Sequence, residues 1–141
     1  MIAAGVESKQ PDIVFIDYLT LLGAQSDDWR GTAKLSSELQ HIAQRYDIPV
    51  IAMSQVNRLG ISKEPPGAEH LSQADAIGQD ADVVLTMTQK SQNCMKMRLA
   101  KFRHGPGGAT WHAKFSPGTG EYEEVDVATA EAIVEADGED D

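Results

Sequence analysis

The rhythm of hydrophobic and polar positions changes several times along the chain, and each change marks a different kind of element. Residues 13–22, IVFIDYLTLL, form an apolar run interrupted by one carboxylate, Asp17. Such a run fits a strand buried on both faces of a parallel sheet. An unpaired charge inside it would be costly to desolvate, which places Asp17 at the strand's carboxyl end. Leu35, Leu39, Ile42, Ala43 and Tyr46 recur at helical spacing and predict an amphipathic helix over residues 31–46. Asp47-Ile48-Pro49 ends it, because the ring of Pro49 disfavours helical geometry at Ile48. PVIAMSQ (49–55) then reads as a second buried strand, closed by Gln55 as Asp17 closes the first.

Residues 56–70 lack periodicity and contain two glycines and two adjacent prolines, which predicts a long loop. A short helical piece at 71–79 leads into a third apolar strand, DVVLTMT (82–88). Strand, helix, strand, loop with helix, strand is the order of an α/β fold with a largely parallel sheet, whose ligand sits at the strand carboxyl ends. From about residue 95, MKMRLAKF and ATWHAKF alternate apolar and polar positions around RHGPGG and predict a C-terminal antiparallel hairpin. Residues 125–141 read as an acidic, disordered tail with room for one short helix at 127–136.

At 141 residues and 41% hydrophobic content the chain suits one domain with a core. Its single cysteine, Cys94, allows no disulfide within the chain and no structural zinc site, and fits a reducing compartment. No apolar run approaches the roughly 18 residues of a membrane span, and the N-terminus lacks a signal pattern, so a soluble, intracellular protein without membrane contact is expected. The net charge of −10 argues against nucleic acid only until the charges are located. Residues 121–141 hold ten Asp or Glu and no Lys or Arg, leaving the rest of the chain neutral. Residues 90–114 carry Lys90, Lys96, Arg98, Lys101, Arg103 and Lys114 with no acid among them, a basic segment able to meet an anion. The four histidines have no ligand-like spacing.

Strand-end Asp17, strand-end Gln55, the loop after it, and Lys101 with Arg103 before a glycine turn form an ordered set. In it the chain resembles the later part of the RecA-like motor domain of DnaB-type replicative helicases, superfamily 4, in a phage-like version. IVFIDYLTLL is similar to that family's Walker B strand, IPVIAMSQVNR to the following strand with its polar sensor, AIGQDADVVL to the entry into the next strand, and AKFRHGPGG to its K-x-R-x-G-P-x-G motif. Each piece alone is weak; four in order, over residues 11–124, are specific. The resemblance implies a partial RecA-like P-loop NTPase core over residues 1–124. No glycine in the chain is followed by lysine, so the P-loop, G-x-x-x-x-G-K-[ST], is absent, and the first strands of the motor with it.

The resemblance also implies roles. Asp17 would hold, through water, the magnesium ion that bridges the terminal phosphates of ATP; the alternative is a carboxylate capping a neighbouring turn. Gln55 would sense the γ-phosphate, or else bond backbone at a strand end. Lys101 and Arg103, two residues apart on a strand, would share a face and reach the neighbouring subunit's γ-phosphate as trans-acting fingers. The alternative is a basic strand edge that discourages aggregation. His104 and Gly105 would lie beside the nucleotide, while Gly105, Pro106, Gly107 and Gly108 shape the turn.

Single-stranded DNA would meet the segment after the sensor strand, where Arg58 and Lys63 are the cations between residues 56 and 79. The family's L-R-E-S-G-A-I-E-Q-D-A-D is LSQADAIGQDAD here, which puts Ser72, Gln73 and Asp75 at its DNA-facing positions and replaces the arginine by Ser72. Without a P-loop the chain is expected to be inactive alone and to need the P-loop-containing half or neighbouring subunits, in a ring that is hexameric by resemblance. Its setting would be the bacterial or phage-infected cytoplasm. A non-catalytic regulatory or decoy module at a helicase ring interface is the alternative. A recombinase or clock-type ATPase fragment shares the fold but lacks specific support in KFRHGPGG.

Overall fold

The computed structural model describes residues 2–19, 29–54 and 75–138. Among them run α1 (Ile2–Lys9), β1 (Val14–Ile16), α2 (Trp29–Tyr46), β2 (Val50–Ala52), α3 (Asp75–Asp80), β3 (Val83–Ser91), β4 (Cys94–Phe102), β5 (Thr110–Ser116), β6 (Glu121–Val125) and α4 (Val127–Gly138). They fall into two units, one carrying α1, α2, α3, β1 and β2, the other β3 to β6 and α4.

In the first unit β1 and β2 pair in parallel, with Val14 opposite Val50, Phe15 opposite Ile51 and Ile16 opposite Ala52. The helical stripe read from the sequence does the packing: Leu39 joins Ile16 and Leu19 in the core, with Ile2, Val14, Leu35, Ile42 and Val50 around them. Each such aliphatic side chain contributes about 1.5–3 kcal/mol when fully buried. Helix α2 stops where expected. Asp47 takes a left-handed conformation with φ 53°, and Ile48 N–H donates to the Ala43 carbonyl at 3.2 Å. This is a Schellman-type stop, which a short polar residue such as Asp tolerates. The Gln40 side chain donates to the Asp80 carbonyl at 2.9 Å and so satisfies the C-terminal end of α3.

Helix α1 has no counterpart in the sequence reading. Residues 2–9 are short and carry Gly5, so they offer no periodic stripe; long-range contacts hold them. Val6 is buried, and Glu7 accepts the Tyr46 hydroxyl at 2.7 Å and the Arg45 guanidinium at 3.3 Å.

The second unit carries an antiparallel sheet larger than the expected hairpin. Strand β3, the third apolar run, pairs antiparallel with β4 and begins a sheet of order β3-β4-β5-β6. The third apolar run continues to Ser91, and only Gln92 and Asn93 separate it from β4. A two-residue connection can join only antiparallel strands, since a parallel pair needs a crossover. The expected hairpin around RHGPGG is present as β4 and β5, paired from Cys94 opposite Lys114 to Arg98 opposite Thr110.

Strand β6 was not legible in its charged sequence, EYEEV. The turn before it makes it: Thr119 and Gly120 both donate to the Ser116 carbonyl, at 3.2 and 2.8 Å. Pro117 presets the first bend, and Gly120 adopts φ 73°. Across the pair, Phe115 and Tyr122 stack at 4.8 Å between ring centroids.

Helix α4 contains the short helix expected at 127–136 and packs on β3, β4 and β5. Disorder is therefore not the state of residues 127–138. Asp126 caps the helix by accepting Thr129 N–H at 2.8 Å. Asp137 accepts both the N–H and the side-chain amide of Asn93, at 2.9 and 2.8 Å.

Candidate functional site

Asp17 lies immediately after β1 with its side chain exposed. The two parallel strands stay tied at this end: Met53 N–H donates to the Ile16 carbonyl at 2.9 Å, and Leu19 N–H to the Met53 carbonyl at 3.0 Å. Leu19 returns to the core at 2% exposure. The apolar run therefore resumes after Asp17 because the chain is anchored on both sides of it, with the carboxylate held at the solvent-facing carboxyl ends of the parallel pair. Gln55 follows Met53 by two residues and lies outside the described residues, as do Arg58, Lys63, Ser72 and Gln73. Asp75 opens α3.

Lys101 is half-buried near the end of β4, opposite Val84. One extra residue, Ala100, bulges from β4 between the pairs Leu85 with Leu99 and Val84 with Lys101. The strand ends at Phe102. The shared strand face expected for Lys101 and Arg103 is corrected accordingly: Arg103 is the first residue of the turn. Its N–H donates to the Asp82 carbonyl at 2.8 Å, and its guanidinium forms an ion pair with the Asp82 carboxylate.

The glycine turn has the shape the sequence implies. Gly105 N–H donates to the Phe102 carbonyl at 3.3 Å, and a Cβ at Gly105 would meet the Phe102 ring at 2.8 Å. Gly108 adopts φ 97°. His104 stands edge-on to Phe102, with centroids 6.5 Å apart. Asp82 is the one residue here that sequence reasoning missed. Asp82 and Arg103 come opposite each other because the two register shifts of the hairpin, at Gln89/Ser91 and at Val84/Leu85, cancel, which no local residue pattern signals.

Among the described residues, no three or more His, Cys, Asp or Glu side chains gather where they could hold a metal. No described helix is long and apolar enough to cross a membrane.

The chain is 36% identical over 100 residues to the replicative DNA helicase DnaB of Treponema pallidum, covering 68% of this chain and 23% of that protein. It is 34% identical over 100 residues to a protein of Chlamydia trachomatis named "Probable plasmid replicative DNA helicase", covering 67% and 22%. It is 32% identical over 111 residues to the replicative DNA helicase DnaC of Bacillus subtilis, covering 68% and 24%. The chain thus spans about a quarter of the length of these relatives. The DnaB-like helicase C-terminal domain family matches residues 3–124. An α/β chain with a carboxylate at the end of its first parallel strand and a basic, glycine-turned hairpin, matched over that range, belongs to the DnaB-like helicase C-terminal domain family.

Proposed function

We propose that this chain supplies the later half of an ATP-dependent replicative helicase motor, over residues 1–124, and acts together with a P-loop that these 141 residues do not contain. The observation that carries this reading is Asp17 at the exposed carboxyl end of a parallel strand pair, within a chain that matches the family through residue 124. A lone oxygen donor suits magnesium, which takes one or two carboxylates and otherwise keeps water and phosphate oxygens. When bound, the ion neutralises charge on the terminal phosphates of ATP.

In this reading Asp17 orients water on the ion, and the Gln55 amide hydrogen-bonds the γ-phosphate. Lys101 and Arg103 meet the γ-phosphate held by the neighbouring subunit, with His104 and Gly105 beside it; an arginine in that role is worth about 10³–10⁵ in rate. Arg58, Lys63, Ser72, Gln73 and Asp75 face single-stranded DNA. Ser72 bonds a phosphate oxygen without the counterion release that an arginine gives. Subunits that each pass fingers to the next make a head-to-tail contact that closes into a ring, a hexamer by resemblance. Such a ring translocates on one strand and unwinds the duplex in the bacterial or phage-infected cytoplasm.

The test is ATP hydrolysis by the chain alone and after mixing with the P-loop half of a DnaB-type motor. No turnover is expected alone. Magnesium-dependent turnover is expected with the partner, falling at least about 100-fold in Asp17→Asn. Turnover by the isolated chain that survives Asp17→Asn overturns the proposal. The basic Lys101 and Arg103 also allow a second reading, a non-catalytic regulatory or decoy module that inserts them at a helicase ring interface. It requires that the chain alone change the ATPase rate of an intact helicase ring.

A further inference from the structure

Asp82 has no part in the chemistry outlined above, yet it holds Arg103 at two points. Its carbonyl accepts the Arg103 N–H at 2.8 Å, and its carboxylate Oδ1 meets Nη1 of the guanidinium. The strand register brings them together. Val83 pairs with Phe102, so the residues just outside that pair, Asp82 and Arg103, face each other at the open end of the β3–β4 hairpin. Beyond Arg103 the backbone turns at once, with the Phe102 ring filling the space a Gly105 side chain would need.

The two side chains are 40% and 59% exposed, so the pair adds little to stability. Its consequence is orientation. A long arginine side chain in solvent samples many rotamers, and a carboxylate on its guanidinium restricts them before any second anion arrives. The guanidinium is a planar fork with several N–H donors, so one edge can rest on Asp82 while another meets a phosphate.

We infer that Asp82 is a positioning residue that orients the Arg103 guanidinium toward a phosphate anion; this rests on the finger role proposed for Arg103. The direct test is NMR relaxation of the Arg103 Nε–Hε group in the full 141-residue chain. In Asp82→Asn the order parameter is expected to fall into the flexible range, below about 0.6, and in Asp82→Glu to recover. The backbone amides of residues 99–102 are expected to keep their order in both. An Arg103 side chain equally ordered in Asp82→Asn overturns the inference. So does a loosening of the hairpin backbone, which makes Asp82 a strand end and nothing more.

The functional arm uses the chain assembled with the P-loop half. Asp82→Asn is expected to lower kcat about tenfold with KM for ATP within about twofold, and to add nothing to Arg103→Ala. Full activity in Arg103→Ala refutes the finger role itself. Dependence on Arg103 together with an unaltered kcat in Asp82→Asn refutes the positioning alone.

Discussion

Phe15 and Ile51 stand directly opposite each other across β1 and β2, and both turn outward, 62% and 44% exposed. Ile13 and Met53 lie on the same side and are exposed as well, while Val14, Ile16 and Val50 face the core with α2. Parallel strands are almost always covered on both faces. Here one face is closed by the chain's own helix, and on the other the described apolar residues are exposed.

That asymmetry predicts unequal costs of substitution. Leu19→Ala is expected to lower the unfolding free energy by about 2–5 kcal/mol, because it empties a site at 2% exposure. Phe15→Thr is expected to cost less than about 1 kcal/mol. Urea titrations of the two variants decide it; equal losses would mean that Phe15 is covered in solution.

Acid should loosen the second unit through two carboxylates. The Thr129 backbone and side chain hold the Asp126 carboxyl below the ordinary range, and the Asp137 carboxyl, which accepts the two Asn93 donors, is lowered as well. The folded chain then takes up these protons less readily than the unfolded one. The stabilisation is complete above the unfolded value of about 4 and is lost as pH falls through the folded values. The thermal midpoint is expected to drop between about pH 5 and pH 2. Asp137→Asn should flatten that drop, and an unchanged acid limb in this variant would exclude the contribution.

Cys94 should be slow to react. It is fully buried, and burial, followed by the charge of Asp137, pushes its thiol up against the opposing effect of Lys90. Thiolate is the reactive form, so modification by a disulfide reagent at about pH 8 is expected to follow the unfolding rate. A burst of labelling in the native protein would contradict this.

The glycines of the two turns should differ sharply. Gly108→Ala places a side chain at φ 97° and is expected to cost about 1 kcal/mol. Gly105→Ala forces the Phe102 ring to move and should also lower the melting temperature. Gly118→Ala enters open space and should stay within about 0.5 kcal/mol of the parent. Thermal melts of the three variants give the order.

Sequence patterning captured what local chemistry decides. The stripe of Leu35, Leu39 and Ile42, the stop at Asp47-Ile48-Pro49 and the alternation around RHGPGG each depend on neighbours in the chain, and each was legible. What it missed depends on distant partners. Helix α1 is fixed by Glu7 reaching Arg45 and Tyr46, and β6 by pairing with β5. The antiparallel pairing of β3 with β4 was not read, because an apolar run looks the same in a parallel and an antiparallel sheet. Of the candidate site, Asp17 and the glycine turn could be reasoned from residue type. The contact of Asp82 with Arg103 required the register.

Strand β3 carries a cost of another kind. Among the described residues it is an outer strand of its sheet, nine residues long, and Val83, Leu85 and Met87 along it are each about half exposed. Long hydrophobic margins of this sort act as templates for self-addition. Kept concentrated and without company, the polypeptide will tend toward fibrils, and its shelf life in solution will be set by how quickly something else takes that margin first.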